Sequence, residues 1–366
     1  MKNRVFFLFN TVSIEEKLES RAYNECANPL TVAAVYEALQ KTGCEIIPIN
    51  VLNPRQVEEY ACKYHPVDIA FNIAEGFLDI PTTLYDGTGA MKTRKLLKTL
   101  GIPSTHSCPE VMKICRNKNL THDVLSGAGI NVPIHGVIHP ASHMSLISQI
   151  RDLESKLDYP MFVKPAGGGS SICIDENSIV WDRQGLVQRI ELVRAVLGDY
   201  PILVETYLSG VEYTVGVMGG VADSIILPII EFPEDIGVRS LQCKAASKEA
   251  AVEFLGVDDP GSVELIDMAA RSFQELGARD IIRIDIKKDS MGRCYVIDVN
   301  GTPSLSNTAS IVKMSQEAGV CLEGLISILL YKAMLREGVA PGGQLVEMVS
   351  EPSLKLRSYY EYELAI

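Results

Sequence analysis

The sequence predicts a chain of mixed α/β and α+β class: a parallel-sheet unit first, then two α+β units. Three observations carry this. Short apolar runs alternate with helix-period segments over residues 1–105, the βαβα pattern of a parallel sheet with helices on both faces. A second unit opens near Pro109 and holds a strand, a glycine loop and a helix. The remainder is β-rich with one long helix, and includes two strands joined by a short connection.

VFFLF (5–9) is a run of the kind that forms a buried parallel strand. Leu30, Ala33, Ala34 and Leu39 recur at helical spacing over Pro29 to Thr42, and Gly43 stands at the stop. EIIPIN (45–50) is the next strand, a helix follows near 54–64, and DIAFNI (68–73) is the third strand. Asn72, Glu75 and Gly76 lie at its carboxyl end, where open α/β sheets bind ligands. Met91 to Leu100 is basic and helical, closed by Gly101. Two short helical segments flank Lys118. YPMFVKPAGGGSSICI (159–174) reads as strand, glycine loop, strand. Residues 182–197 form a helix before Gly198, and ILVE (202–205) is a short buried strand. VEYTVGVMG (211–219) and SIILPIIEF (224–232) are strands, and 262–276 is a helix with Ser262 as N-cap and Gly277 as C-cap. IIRIDIKK (281–288), a turn at DSMG and CYVIDVN (294–300) make a hairpin. A helix over 321–336 closes the fold, and the Pro/Gly-rich stretch from Gly338 reads as peripheral.

At 366 residues, 47% apolar and 22% charged, the chain can bury a core without staples. Lys and Arg number 34 against 46 Asp and Glu, giving a net charge of −12 with no basic run, so nucleic acid is not an expected partner. Nine cysteines, an odd count with no C-x-x-C, read as reduced thiols in a cytoplasmic protein. The first ten residues hold one short apolar run without the features of a signal peptide, and no 18-residue apolar stretch exists, so no membrane partner is expected. All six histidines fall within the first 143 residues. A site in the C-terminal half therefore relies on carboxylates, Lys, Arg, Asn, backbone groups or a metal held by oxygen.

The glycine loop is the first chemical feature. Gly167, Gly168 and Gly169 allow positive φ and bring backbone N–H groups close to an anion, and Ser170 and Ser171 add donors. An ordinary turn is the competing reading. Lys164 precedes the loop within the apolar strand FVKP; a lysine there needs an anionic partner, unless it snorkels from the strand end. G-x-x-x-x-G-K-[ST], G-x-G-x-x-G, G-x-S-x-G and H-E-x-x-H are all absent, which removes P-loop NTPases, ordinary dinucleotide oxidoreductases, α/β-hydrolases and zincins as leading readings. In ILVETYLSGVEYTV (202–215), Glu205 and Glu212 bracket a turn at Ser209-Gly210 and can accept hydrogen bonds from an amino group or from ribose hydroxyls; either can also be solvated.

The hairpin is sharper. Ile281, Arg283, Asp285 and Lys287 project to one face and Ile282, Ile284 and Ile286 to the other. Asp298 and Asn300 likewise share a face. Antiparallel pairing lets Asp285, Asp298 and Asn300 converge, a hard-oxygen set of the type Mg²⁺ prefers. Facing carboxylates without a cation repel. Arg283 can reach a phosphoryl group or an oxyanion beside the metal. A solvated charged face is the alternative.

These residues, taken together, resemble the ATP-grasp superfamily and, within it, the D-alanine–D-alanine ligase-like group. The matching pieces run in family order: FNIAEG (71–76), K-x-x-T (118–121), FVKPAGGGSS (162–171), ILVETYLSGVEYTV (202–215), RID (283–285) and DVNGTP (298–303). The resemblance reaches across residues 1–335. It implies an ATP-grasp fold with an N-terminal α/β substrate-binding subdomain (1–108), a central subdomain with the glycine loop (109–204), a C-terminal subdomain with the Mg²⁺ site (205–340) and a peripheral tail (341–366). It also implies ATP phosphate contacts from Lys118 and Lys164, with Lys244 as a further candidate, and a flap over the phosphates at 167–171. Gly168, Gly169 and Ser170 are then ATP-binding, and Ser171 joins Arg283 in the catalytic set. Glu205, Tyr207 and Leu208 match the adenine-contacting linker and Glu212 the ribose-binding acid. Asp285, Asp298 and Asn300 match the ligands of two Mg²⁺ ions, with Mn²⁺ as an alternative ion. The implied enzyme joins a small-molecule carboxylate to an amine, forming a C–N bond through an acyl phosphate; dimers are common in the group.

The chain departs from that pattern on the substrate side. FNTVSIEEKLES lacks the glycine-rich motif after the first strand, Glu75 replaces a histidine, Asn117 an aspartate and His122 a lysine. Asp298 stands where a glutamate is usual, Thr302-Pro303-Ser304 where Ser-Pro-Gly is usual, and Ala245 where a tyrosine is usual. Asn72, Glu75 and Ser304 are the candidate substrate contacts, Glu75 for an ammonium group. The expected function is an ATP-dependent carboxylate–amine ligase on amino-acid-type substrates other than two D-alanines, with a place in secondary metabolism. The alternatives are a D-alanine–D-alanine ligase with drifted motifs and a non-catalytic ATP-binding protein of the same ancestry.

Overall fold

The computed structural model describes residues 2–140, 142–169, 172–220, 223–232, 253–256 and 259–361. Ser170, Ser171 and Lys244, named above as site candidates, lie outside the described residues.

Three sheets organise the chain. In the first, β1 (Arg4–Phe9), β2 (Glu45–Asn50) and β3 (Ile69–Asn72) run parallel in the order β2-β1-β3. β1 is buried on both faces, which is why it reads as an unbroken apolar run. The helix Pro29–Lys41 crosses from β1 to β2; Asn28 caps its start and Gly43, at φ +77°, follows its end. The carboxyl ends of β1 and β3 are clamped by a residue the sequence did not single out. Asn10, 1% exposed, donates to the carbonyls of Val51 and Gly76 and accepts the N–H groups of Glu75 and Gly76.

The second sheet contains β4 (His135–Ile138), β5 (Met161–Pro165), β6 (Ile179–Val180) and β7 (Ile202–Thr206), antiparallel in the order β4-β7-β5-β6. Residues 172–174, expected as a strand, are instead a turn; the strand that pairs with β5 beyond the loop is the later β6.

The third sheet holds β8 (Glu212–Gly219), β9 (Ile225–Ile226), β10 (Ile230–Phe232), β11 (Glu253–Phe254), β12 (Asp280–Lys288) and β13 (Cys294–Asn300). Its order is β11-β10-β8-β12-β13, with β9 beside β8. The single strand expected over 224–232 is broken at Leu227–Ile229, where Pro228 cannot donate to a ladder. The helix Pro260–Glu275 begins earlier than expected. Its cap is Asp259, which accepts the Gly261 N–H, and Ser262 lies buried in the first turn. That helix brings Leu265 and Phe273 against Ile282, Ile284 and Ile286, all fully buried; each such side chain stabilises the fold by roughly 1.5–3 kcal/mol.

β7 and β8 belong to different sheets. The segment 207–211 is therefore a crossover between two sheets, not the tight turn of one.

The expected peripheral tail is corrected. Gly343–Glu361 is a helix, and Leu345, Val349 and Leu356, each at most 4% exposed, join the core cluster of Val35, Leu39, Leu325 and Leu329. Leu345→Ala is expected to cost about 2–5 kcal/mol in urea unfolding, the range for truncating a buried leucine. A loss no larger than that of an exposed control such as Leu354→Ala, which is 69% exposed as Leu, would contradict this packing.

Candidate active site

The site forms where the second and third sheets meet beside the glycine loop, Lys164 of β5 donating to the Ile297 carbonyl of β13. Lys118 opens the helix Lys118–Gly127, capped by Asn117, whose side chain accepts the Leu120 N–H. Lys118 Nζ donates to the Gly168 carbonyl at 3.2 Å and lies 3.4 Å from Asp298 Oδ1. One lysine thus touches both the glycine loop and the hairpin. Gly168 has φ +75°, and a Cβ there would meet the Tyr85 carbonyl oxygen at 2.9 Å, so both conformation and space demand glycine.

Lys164 has the anionic partner that its place in an apolar strand requires. Its Nζ is 2.6 Å from Glu205 Oε1, with both side chains about 5% exposed or less, and donates to the Ile297 carbonyl at 3.0 Å. Burial pushes the Glu205 carboxyl up, against the pull of Lys164. His122 sits behind this pair, its Nδ1 3.9 Å from Glu205 Oε2 and its ring edge-on to His135. Burial, aided by Lys164, drives His122 well below the usual histidine range, so the imidazole is neutral.

The Ile297 carbonyl reaches Lys164 because of a β-bulge that the sequence pattern concealed. Asp285 pairs with Asp298, but Ile286 pairs with Val296, leaving Ile297 as the extra residue of β13. Bulges of this kind re-aim groups beside sites. Within the same ladder Arg283 stands opposite Asn300. Asp285 and Asp298 are therefore direct cross-strand neighbours. Asp285 accepts two hydrogen bonds from Arg283, at 3.0 and 2.9 Å, and one from Thr214 Oγ1 at 2.7 Å. Burial pulls the Arg283 guanidinium down, but Asp285 beside it outweighs this and holds it above its ordinary value. Asn300 Oδ1 accepts the Thr302 N–H at 3.0 Å.

Glu212 opens β8 and lies 3.7 Å from Lys287, its neighbour across the ladder. Tyr207 and Leu208 lie on the crossover itself, with the Tyr207 N–H on the Pro160 carbonyl and Leu208 buried. Among the described residues no three His, Cys, Asp or Glu side chains gather as a metal site. The hairpin offers two carboxylates and an amide, which fit a Mg²⁺ ion that keeps waters and shares phosphate oxygens.

The substrate candidates are placed less uniformly. Asn72 is fully buried, and its Oδ1 accepts the Ala74 N–H. Ser304 is exposed and accepts the Ser306 N–H, turned to its own loop. Glu75 belongs to a buried charge cluster whose other members, Glu25 and Arg116, lie in none of the matching pieces. Arg116 lies 3.3 Å from Glu25 Oε2 and 3.6 Å from Glu75 Oε2, all three side chains less than 10% exposed. Burial raises the Glu75 carboxyl, against the pull of Arg116. Glu25 also lies beneath the glycine loop, since a Cβ on Gly169 would meet its Oε2 at 2.8 Å. Nothing in local sequence spacing links Glu25, Glu75 and Arg116.

A parallel α/β unit, two antiparallel sheets and a glycine loop beside paired lysines and carboxylates, together with the matches that follow, place the chain among the ATP-grasp ligases, an enzyme class that forms C–N bonds. A family model described as D-ala D-ala ligase C-terminus matches residues 124–331. The chain belongs to that family. It is 27% identical over 307 residues to a D-alanine–D-alanine ligase of Pseudomonas entomophila, covering 84% of this chain and 88% of that one. It is 28% identical over 311 residues to one of Pseudomonas putida, with the same coverage. The fold is similar to that of a D-alanine–D-alanine ligase from Bacillus anthracis complexed with ATP, at TM-score 0.69 and 21% identity, covering 92% of this chain and 99% of that one. No single helix among the described residues is long and apolar enough to cross a membrane.

Proposed function

We propose that the chain uses ATP to join an amino-acid-type carboxylate to an amine, through an acyl phosphate. The observation that carries this is the hairpin register, which sets Asp285 against Asp298 and Arg283 against Asn300, with Lys118 bridging to the glycine loop. Lys118 and Lys164 hold the nucleotide phosphates, while Glu205, Tyr207 and Leu208 line the base and Glu212 the ribose. Asp285, Asp298 and Asn300 would hold two Mg²⁺ ions, which when bound neutralise charge on the phosphates.

The substrate carboxylate oxygen attacks the γ-phosphorus and the bond to the bridging oxygen of ADP breaks. The amine then attacks the acyl carbon and phosphate leaves, giving the amide. Most of the first step is positioning and electrostatics, for which this chain supplies Lys118, Lys164 and Arg283. Arg283 already has two donors committed to Asp285, so its orientation is fixed before substrate arrives.

The relatives' names support D-alanine for both positions. A second reading, substrates other than two D-alanines, is supported by Glu75, which is fixed beside Arg116 and Glu25 where the group resembled carries a histidine. A carboxylate-by-amine panel that includes D-alanine, read by phosphate release and mass spectrometry, tests both. Phosphate is expected only when both partners are present, with a condensed product. Efficient D-alanyl-D-alanine formation sinks the second reading, and nucleotide binding without turnover on the whole panel sinks the ligase reading.

A further inference from the structure

We propose that Arg94 is a positioning residue which, through Thr302, fixes the side chain of Asn300. This rests on the metal assignment proposed above. Arg94 lies on the basic helix Gly89–Thr99, whose Lys92, Lys95 and Lys98 are exposed while Arg94 is 1% exposed. It donates to the carbonyls of Ala90 and Asn72, at 3.0 and 3.3 Å, and to Thr302 Oγ1 at 3.2 Å. These are neutral oxygens. Burying a guanidinium against neutral acceptors is costly, so an apolar residue would serve stability better there. Burial duly pulls Arg94 down to about 10, with Glu75 nearby opposing it.

What the contact achieves lies 208 residues further along the chain, beside Asn300. Thr302 is 9% exposed, and its N–H is on Asn300 Oδ1. That bond sets which way the Asn300 amide faces, leaving the second lone pair of Oδ1 directed elsewhere. Between them, Gly301 is pressed against the helix Pro109–Cys115: a Cβ there would meet Met112 Sδ at 2.8 Å. The Asn300–Thr302 loop is therefore pinned by packing on one side and by Arg94 on the other. Outer partners of this sort orient metal ligands and tune affinity.

The test uses the full chain with ADP and Mn²⁺ as the paramagnetic probe, binding read by electron paramagnetic resonance and folding by urea titration. Thr302→Val keeps the volume and removes the hydroxyl that accepts from Arg94 and also bonds the Glu75 carboxylate; it is expected to weaken Mn²⁺ binding about tenfold, with Thr302→Ser within about twofold of the parent. The Mg²⁺ concentration for half-maximal ADP formation should rise in parallel. Arg94→Lys, which keeps the charge but shortens the reach, should weaken Mn²⁺ binding in the same direction and decides the matter if Thr302→Val does not fold. If Asn300→Ala weakens Mn²⁺ binding and these variants do not, the positioning role is wrong while the metal assignment stands. If Asn300→Ala binds Mn²⁺ like the parent, both are wrong.

Discussion

Lys164→Met is expected to lose ADP formation by about 10²-fold or more and to unfold more easily by about 3–5 kcal/mol. Two effects combine. The variant loses a cation from the phosphate side of the cleft. It also leaves Glu205, 3% exposed, without the ammonium that sits 2.6 Å away. The neutral His122 offers no compensating charge. Lys164→Met combined with Glu205→Gln should recover most of the stability, because the orphaned charge is gone, and none of the turnover. Thermal or urea unfolding of the four proteins gives the coupling directly. Equal stability of parent and Lys164→Met would mean that the ion pair is not holding this part of the fold.

Asp285→Asn is the second large effect. It preserves volume and one acceptor, so Thr214 and Arg283 keep a partner, but it halves the carboxylate charge opposed across the ladder. ADP formation should fall by at least about 10²–10³-fold, the scale for removing one preorganised electrostatic group. The protein should stay folded and somewhat less stable, since Arg283 loses its counter-charge. Turnover near the parent level would remove Asp285 from the proposed ligand set, whatever the variant's stability.

Much of the architecture was legible because hydrophobic period reports burial directly. VFFLF and the isoleucine face of β12 are buried as their patterns required. The need of Lys164 for an anion was also legible, although the identity of that anion was not: Glu205 comes from another strand. Three features escaped, two because they depend on pairings the local pattern does not carry and one because local signals pointed the wrong way. The bulge at Ile297 exists only relative to β12. The Glu25–Arg116–Glu75 cluster joins residues up to 91 positions apart. The helix Gly343–Glu361 was disguised by Pro341, Gly342 and Gly343 at its start and by Pro352 within it, signals that ordinarily end helices. Pro352 is tolerated where Gly324 leaves it room.

The crossover from β7 to β8 sets a ruler on the cleft. Five residues, 207–211, join the two sheets, and a chain of that length spans at most roughly 17 Å. The segment is fastened at both ends, the Tyr207 N–H on the Pro160 carbonyl and Gly210 and Val211 bonded to Lys288, so at this edge the two halves cannot drift apart. Tyr207 and Leu208 are links of this same tether, at the end of β7 opposite the one where Pro165 pairs with Ile202 and the glycine loop begins. Lengthening the tether by a few glycines would leave each sheet intact and free the angle between them, so the loss should appear in how tightly the cleft grips its ligand before it appears in folding.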